Sequence, residues 1–329
     1  METNKKRLVE TVRRFAGQRI VIVGDSIADK FLHGSISRVS REAPVFILRH
    51  EQTETLPGGA ANCAMNLVAL GAQVSLISVT GDDESGCELR AKLEAAGVDI
   101  EGLFVSDKIQ TTTKVRILAG HSHSSKQQVI RIDYEGDLLN NEEIRTAILS
   151  RLERAVAAAG AVVMSDYNYG VVDSRVAELI RQTATVPVLV DSRFRLTDFC
   201  GFNAATPNQD EVENLTGARI YSLPELEKAA RELKQRLGHS ALLVTRGGQG
   251  MTLLDGEEEP LHIPAVGAQQ PVDVTGAGDT VIATFALALA SGASFANAAH
   301  LANYAGGLVV MKRGTATVSA EELEHTITA

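Results

Sequence analysis

The chain has 329 residues, of which 44% are hydrophobic and 22% are charged. This composition is ordinary for a globular protein and excludes a disordered or fibrous chain. The formal net charge of −9 disfavours binding to nucleic acids and to anionic membranes, because both are polyanions. The three cysteines form no CxxC pair, which indicates a reducing compartment and predicts a cytoplasmic protein. The longest apolar run is about half of the ~20 residues that a membrane helix needs, so no membrane span is expected.

Short apolar runs alternate with helix-like segments along most of the chain. The apolar runs, rich in Val, Ile and Leu, cover residues 19–25, 74–79, 161–165, 188–191 and 242–245. The helix-like segments cover residues 60–70, 85–96, 141–158, 174–182 and 223–237. This alternation predicts an α/β fold, in which a mostly parallel sheet is covered by helices on both faces. Ligands of such sheets bind at the carboxyl ends of the strands, where Asp25, Asp166, Asp191 and Thr245 end or follow apolar runs.

Two stretches interrupt this alternation, at residues 31–55 and 111–134. Both contain extended segments with alternating apolar residues, which predicts a small antiparallel accessory sheet inserted into the larger domain. Residues 121–125, with the sequence HSHSS, are expected to form its loop tip. The two histidines of this tip lie in a polar loop, so surface exposure explains them more simply than a metal site does.

The strongest chemical signal is the sequence DVTGAGD at residues 273–279, which leads directly into an apolar run. Without bulky side chains, the amides of Gly276, Ala277 and Gly278 can converge on an anion at the positive end of a helix. A phosphate bound there would repel Asp279, unless this carboxylate serves to take a proton from an attacking hydroxyl. An ordinary helix cap, in which Asp and Gly are favoured, is the alternative interpretation.

Two further segments carry groups suited to polar ligands. Gly58 and Gly59 allow a ligand to approach the backbone closely, and Asn62 offers a donor and an acceptor to a polyol. A tight turn into an amphipathic helix is the alternative interpretation of these three residues. Asn208 and Glu211 lie three residues apart at a predicted helix start, so they share a face and can orient the waters of Mg²⁺ beside a phosphate. Taken alone, this pair is explained more simply as a solvated helix N-terminus.

Four motifs, in this order, resemble those of the ribokinase-like (PfkB) carbohydrate kinases. They are GGAANC at 58–63, NQDE at 208–211, TRGG at 245–248 and DVTGAGD at 273–279. The resemblance implies one ribokinase-like kinase domain over residues 1–329, in which the accessory sheet forms a lid. It also implies phosphoryl transfer from ATP to a hydroxyl of a sugar or sugar phosphate.

Three other segments are similar to the subgroup of this family that phosphorylates heptose 7-phosphate at the anomeric position. They are SRVSREAP at 37–44, TKVR at 113–116 and KRGTATVS at 312–319. Members of that subgroup carry a second, nucleotidyltransferase half, and this sequence is expected to hold the kinase half only. The resemblance leaves open a PfkB-type kinase for a hexose phosphate, a pentose or a nucleoside.

The resemblance also implies roles for individual residues. Asp279 is expected to be the catalytic base, while Gly276, Ala277 and Gly278 hold charge on the moving phosphoryl group. The residues expected to bind ATP are Asn208, Glu211, Thr245, Gly247 and Asn303, of which Asn208 and Glu211 orient Mg²⁺ through water. An optional K⁺ is expected near Asp273 and Thr275.

The sugar hydroxyls are expected to be bound by a second set of residues, which are Asp29, Gly58, Gly59, Asn62 and Asp166. If the substrate carries its own phosphate, a few local cations must meet it because the whole chain is acidic. The candidates lie in or near the accessory sheet and are Arg38, Lys114 and Arg116. Ordinary solvated charge on an exposed sheet face is the alternative interpretation of these three cations.

The expected partners are ATP, a sugar or sugar phosphate, and a second copy of the chain. Exposed apolar residues such as Val45, Ile47, Val129 and Ile130 would risk edge-to-edge aggregation, so a homodimer through the lid is predicted. A non-catalytic sugar or nucleotide sensor is a competing hypothesis, since fold alone does not decide function. A sensor, however, has no need of a base, an anion-binding helix start and a Mg²⁺-orienting pair together.

Overall fold

The computed structural model describes residues 2–120, 126–136, 142–267 and 270–329. The predicted loop tip at 121–125 lies outside the described residues. Within these ranges the chain forms ten α-helices, which are α1 (Glu2–Arg13), α2 (Ala60–Ala69), α3 (Glu84–Ala96), α4 (Glu142–Val156), α5 (Ser174–Thr183), α6 (Gln209–Thr216), α7 (Leu223–Leu237), α8 (Ala277–Ala290), α9 (Phe295–Val309) and α10 (Ala320–Thr328). Among these helices, none is both long enough and apolar enough to cross a membrane.

The same ranges contain thirteen β-strands in two sheets. The strands are β1 (Arg19–Gly24), β2 (Ser26–Val39), β3 (Phe46–Gly59), β4 (Gln73–Gly81), β5 (Leu103–Ser106), β6 (Thr113–Gly120), β7 (Gln127–Tyr134), β8 (Ala161–Asp166), β9 (Val188–Ser192), β10 (Ala204–Ala205), β11 (Ala241–Thr245), β12 (Met251–Asp255) and β13 (Leu261–Ile263). The larger sheet has the order β13-β12-β11-β10-β9-β8-β1-β4-β5. Its strands from β11 to β5 are parallel, and β12 and β13 are antiparallel additions at one edge.

Helices cover both faces of the larger sheet, as the apolar runs predicted. Alternate residues of β1 point into different cores: Ile20 and Ile22 pack with α1, α2, α8 and α9, whereas Val21 and Val23 pack with α4, α5 and α7. A strand buried on both faces has no polar side, so its sequence is continuously apolar. The predicted mostly parallel sheet with helices on both faces is confirmed.

The smaller sheet has the order β3-β2-β6-β7. It consists of two antiparallel pairs, β2–β3 and β6–β7, which are joined by a parallel pairing of β2 with β6. Its strands extend further toward the larger sheet than residues 31–55 and 111–134 suggested, since β2 begins at Ser26 and β3 ends at Gly59. The glycines of the PGG sequence indicate a turn, but cross-strand pairing with residues 26–28 overrides that local preference. The inner end of this sheet therefore adjoins the carboxyl end of β1 and the start of α2.

Candidate active site

Asp279 lies in the first turn of α8 and is only 3% exposed. The side-chain amide of Asn62 donates to Oδ2 at 2.8 Å, and the hydroxyl of Tyr167 donates to Oδ1 at 2.9 Å. Burial raises the pKa of Asp279 to about 7, although both hydrogen bonds oppose this rise. A carboxylate that titrates near neutral pH is suited to accept a proton from a substrate hydroxyl.

The glycines before Asp279 shape the start of α8. Gly276 has a φ of 76°, in the left-handed region that favours glycine. A Cβ atom at this position would lie 2.4 Å from Nδ2 of Asn62, so a side chain would displace the residue that contacts Asp279. The amide of Ala277 donates to the carbonyl of Val274 at 3.3 Å, which gives it an acceptor inside the loop. The amide of Gly278 lies in the first turn, where backbone donors have no intrahelical partner and can bind an anion.

Three of the predicted ATP-binding residues line one cleft together with Ala277 and Gly278. These residues are Thr245, Gly247 and Asn303. Its walls are largely apolar and include Met251, Val266 and Val281. Asn303 is 4% exposed and its amide donates to the carbonyl of Pro264 at 2.8 Å, which fixes the side chain in the wall. The cleft thus offers apolar walls for a nucleobase. It opens at the start of α8, where backbone amides can bind an anion.

Asn208 and Glu211 form a reciprocal capping box at the start of α6. The side-chain oxygen of Asn208 accepts from the amide of Glu211, and the Glu211 carboxylate accepts from the amide of Asn208, both at 2.8 Å. The pair therefore caps the N-terminus of α6, as the simpler interpretation of these two residues predicted. Burial raises the pKa of Glu211, and burial together with the charge of Glu211 raises that of Asp191 well above its ordinary value. In the part of the chain that is described, no cluster of carboxylates, histidines or cysteines is close enough to hold a metal directly.

The sugar side of the predicted site lies at the inner end of the smaller sheet. Asp29 of β2 is 4% exposed, pairs in register with Lys114 of β6 and forms an ion pair with Arg116. Burial raises the pKa of Asp29, and the guanidinium of Arg116 opposes the shift. A Cβ atom on Gly58 would lie 2.4 Å from Oδ2 of Asp29, so only glycine leaves room for this carboxylate. Gly59, with a φ of 58°, directly precedes α2.

Lys114 is a largely buried cation, with 8% of its surface exposed. Its ammonium lies 5.4 Å from the ring centre of Tyr167 and 5.6 Å from that of Tyr169, within the range of cation–π contacts. Burial lowers the pKa of Lys114, with the nearby Asp29 acting in the opposite direction. Among the described residues, Lys114 makes no ion pair, whereas the neighbouring Arg116 is bound by Asp29.

Two residues that were expected to bind sugar hydroxyls are instead committed to protein partners. The side chain of Asp166 has no exposed surface and accepts hydrogen bonds from Ser192 at 2.6 Å and Arg195 at 2.5 Å. Asn62 is 1% exposed, and all its polar side-chain atoms bind protein groups. Both side chains are thus buried and hydrogen-bonded to protein groups, which fits positioning roles better than direct contact with a sugar.

Arg38 is also not brought to the sugar side of the site. It is exposed and lies nine residues beyond Asp29 on the same strand, β2. Nine residues of extended strand correspond to about 30 Å. Lys114 and Arg116 are thus the two predicted phosphate-binding cations that the structure places beside Asp29.

Asp273 connects the loop before α8 to the loop before α10. Its two carboxylate oxygens accept hydrogen bonds from the amides of Thr275 and Gly314, each at 2.9 Å. Burial alone would raise the pKa of Asp273, but these hydrogen bonds lower it below its ordinary value. The hydroxyl oxygen of Thr315 is buried and has no hydrogen-bond partner in the described ranges. Thr315 follows Gly314, whose amide binds the Asp273 carboxylate. Its hydroxyl oxygen is therefore suited to be a ligand of a monovalent cation.

Two residues that had no assigned role, Tyr167 and Asp25, also support the site. Tyr167 follows Asp166 in the sequence SDY, and burial raises the pKa of its hydroxyl well above the ordinary value, so it remains a donor to Asp279. Asp25 accepts hydrogen bonds from three amides of residues 167–171 and fixes the loop that carries Tyr167. Burial raises the pKa of Asp25 to about 6. The available signal was position, since both residues lie where apolar strands end.

The family and the fold define an ATP-dependent carbohydrate kinase. The chain belongs to the pfkB family of carbohydrate kinases, whose sequence profile matches residues 19–323. This result confirms the predicted family and enzyme class.

Several curated relatives share the name bifunctional protein HldE. The one from Paramagnetospirillum magneticum is 42% identical over 325 residues, which cover 98% of this chain and 65% of the relative. The one from Haemophilus influenzae is 42% identical over 320 residues, which cover 96% of this chain and 64% of the relative. The chain therefore spans just under two thirds of the length of these relatives.

Solved structures of similar fold include two sugar kinases. Ribokinase of Arabidopsis thaliana, in complex with ribose and ATP, superposes with a TM-score of 0.77 at 22% identity, over 95% of this chain and 99% of that one. Phosphofructokinase-2 of Escherichia coli, in complex with potassium, has a TM-score of 0.79 at 20% identity, over 95% of this chain and 98% of that one. At this identity the likeness establishes the ribokinase-like fold, which confirms the predicted fold class.

Proposed function

We propose that this chain transfers the γ-phosphoryl group of ATP to the anomeric hydroxyl of heptose 7-phosphate. The observation that supports a phosphorylated substrate is the environment of Lys114, a buried cation without an ion pair among the described residues. A buried unpaired charge is unfavourable unless a ligand supplies the opposite charge, which the 7-phosphate does. The heptose itself is supported by the similarity of the segments at 37–44, 113–116 and 312–319 to kinases of that substrate.

Asp279 acts as the base of the reaction, because it can accept the hydroxyl proton and lies at the start of α8. The amide of Gly278 and the positive end of the helix hold negative charge on the moving phosphoryl group. Asp29 accepts a hydrogen bond from a sugar hydroxyl, and Lys114 with Arg116 faces the substrate phosphate. Phosphoryl transfer depends chiefly on such positioning and charge stabilisation.

ATP occupies the cleft lined by Thr245, Gly247 and Asn303. Asn208 and Glu211 would orient the water ligands of Mg²⁺, which when bound would neutralise charge on the ATP phosphates. The Glu211 charge contributes to the raised pKa of Asp191, and a cation beside these two carboxyls would favour their ionised forms. Asp273, Thr275 and the Thr315 oxygen, which has no hydrogen-bond partner among the described residues, would hold a K⁺, whose charge would reinforce the anion-binding start of α8.

A panel of acceptors tests the substrate directly by measuring ADP release. Heptose 7-phosphate is expected to give the highest kcat/KM, above hexose phosphates, pentoses and nucleosides. In the variant Lys114→Ala, we expect KM for heptose 7-phosphate to rise about 10–100-fold, the value of a charge-assisted hydrogen bond. KM for ATP should remain at the wild-type value, since Lys114 is not part of the ATP cleft.

Lys30→Ala is the matched control for this experiment. Lys30 lies in β2, next to Asp29 and therefore on the opposite face of the sheet, and its ammonium pairs with Glu84 and Glu88 at 3.5 and 3.7 Å. It should leave both KM values unchanged. Equal increases of both KM values in Lys114→Ala would contradict the assignment and indicate a general folding defect. Tight sugar binding without ADP release for any acceptor would favour the sensor hypothesis instead.

We also propose a homodimer formed through the outer face of the smaller sheet. Large apolar side chains remain exposed there, including Val45 at 55%, Phe46 at 57% and Ile130 at 54%. Several large apolar side chains left exposed on one small sheet are typical of an interface. The three cysteines are free thiols, which fits a protein that works in the reducing cytoplasm.

Light scattering at micromolar concentration is expected to give twice the chain mass of 35.1 kDa. Phe46→Lys should shift this mass to that of the monomer, because a buried lysine at the interface lacks a partner. Tyr221→Lys is the control, since Tyr221 is 86% exposed next to α7, outside the smaller sheet. A monomeric wild-type protein would remove the dimer proposal.

A further inference from the structure

A chain of buried polar side chains runs between α2 and α8 and ends at Asp279. The hydroxyl of Thr280 donates to Oδ1 of Asn66 at 3.0 Å, and Nδ2 of Asn66 donates to Oδ1 of Asn62 at 3.2 Å. Nδ2 of Asn62 then donates to Oδ2 of Asp279 at 2.8 Å. Thr280 and Asn66 have no exposed surface, and Asn62 is 1% exposed.

The hydrogens of the two amides in this chain can be assigned without ambiguity, whereas the Thr280 hydroxyl also has the Gly276 carbonyl as a second acceptor at 3.3 Å. One hydrogen of the Asn62 amide goes to Asp279 and the other to the carbonyl of Gly276 at 3.3 Å. Both hydrogens of Asn66 go to oxygens of Asn62, the backbone carbonyl at 3.0 Å and the side-chain oxygen at 3.2 Å. Turning either amide over would place oxygen against oxygen, so each amide supports the orientation of the next.

Packing provides no separate reason for polar groups at these positions. Both helices are otherwise apolar where they meet, with buried residues such as Ala61, Ala64, Ile282 and Ala283 around the chain. Polar groups in such surroundings are unfavourable unless every hydrogen bond is made, and an aliphatic residue would be simpler. The one group in this chain of hydrogen bonds that has a proposed catalytic role is the carboxylate of Asp279, at its end.

We propose that Thr280 and Asn66 are positioning residues, which hold the amide of Asn62 in the one orientation that donates to Asp279. The inference rests on the proposed role of Asp279 as the base. A donor to a carboxylate favours its ionised form, so weakening the contact from Asn62 raises the pH at which Asp279 becomes able to accept a proton. The titratable groups that face Asp279 from the surrounding elements are Asp29, Cys63, Lys114, Tyr167 and Asp191. All of these stay unchanged in the variants that test the inference.

The test is the pH profile of kcat/KM for the sugar substrate in Thr280→Val, which removes the hydroxyl and keeps the shape. We expect its acid limb to move upward by about 0.5–1 pH unit, with kcat/KM at pH 7 reduced severalfold. Thr280→Ser restores the hydroxyl and should restore the wild-type limb. Thr284→Val is the matched control, because Thr284 is equally buried on α8 and its hydroxyl donates only to the backbone carbonyl of Thr280, at 2.8 Å.

An acid limb in Thr280→Val that coincides with that of Thr284→Val would overturn the inference. If Thr280→Val does not fold, Thr280→Ala lacks the same hydroxyl and carries the same expectation. Asp279→Asn is measured alongside to separate two kinds of failure. Wild-type turnover in Asp279→Asn refutes the base itself, whereas an inactive Asp279→Asn with an unmoved limb in Thr280→Val refutes only the positioning chain.

Discussion

Asp279→Asn is expected to lower kcat by about 10²–10⁴-fold, the usual contribution of a general base. Asparagine has nearly the same shape as aspartate but cannot accept the proton of the attacking hydroxyl. Its side-chain oxygen can still accept from the Asn62 amide, and the Tyr167 hydroxyl can turn to accept from the new amide. The fold should therefore be kept, and the anion-binding start of α8 should supply the remaining activity.

The measurement is steady-state ADP release at pH 8, with circular dichroism to show equal folding. KM for ATP is expected to change little, since the ATP cleft does not include Asp279. Turnover at the wild-type level in a folded Asp279→Asn protein would rule out the carboxylate as the base.

The second large effect concerns stability and pH. The folded protein holds a proton on Asp279 up to about pH 7, whereas the unfolded chain releases it near the ordinary value of 3.8. Between these values the folded state binds more protons, so the free energy of unfolding falls as the pH rises. The stabilisation is complete below pH 3.8 and is lost as the pH passes through 7. The loss amounts to at most about 4 kcal/mol for this one group.

Asp279→Asn removes this loss, because asparagine does not ionise. We therefore expect the variant to be more stable than the wild type at pH 8, with the difference shrinking as the pH approaches 4. Urea unfolding of both proteins across this range measures the difference. Asp25, whose pKa burial raises to about 6, contributes equally to both proteins and cancels. A difference that is constant with pH would show that Asp279 is not the titrating group.

Together, these two results would show that the Asp279 carboxylate lowers the stability of the folded protein and raises the rate of the reaction. Buried acids with raised pKa values are destabilising above that pKa, and they occur where function requires them. A variant that is inactive and also more stable would be the expected sign of a functional group. A structural aspartate, such as Asp166 with its three protein donors, should show the opposite behaviour on substitution.

The larger sheet could be predicted because its apolar runs are local features of the sequence. The start of α8 was also predictable, since a glycine-rich turn followed by an apolar helix is a short-range pattern. The inner ends of β2 and β3 were not, because pairing between residues 26 and 59 overrides the turn preference of glycine. The contact between Asn62 and Asp279 joins residues 217 positions apart, which no local pattern reveals.

The sequence also could not predict which partners a polar side chain contacts. Asn62 and Asp166 were expected to bind a sugar because both are polar and lie near the predicted site. In the structure their polar atoms are used by protein partners, which a count of donors and acceptors cannot show beforehand. Asn208 and Glu211 illustrate the same limit, since the capping geometry and the proposed orientation of metal-bound water use the same two residues.

β2 is a single strand of fourteen residues from Ser26 to Val39. One end carries the carboxylate of Asp29, and the other carries the exposed valine at its tip. Because one strand belongs to both regions, a redesign of the apolar outer surface to improve solubility changes the strand that also carries Asp29. Each redesigned protein should therefore be assayed for turnover as well as yield.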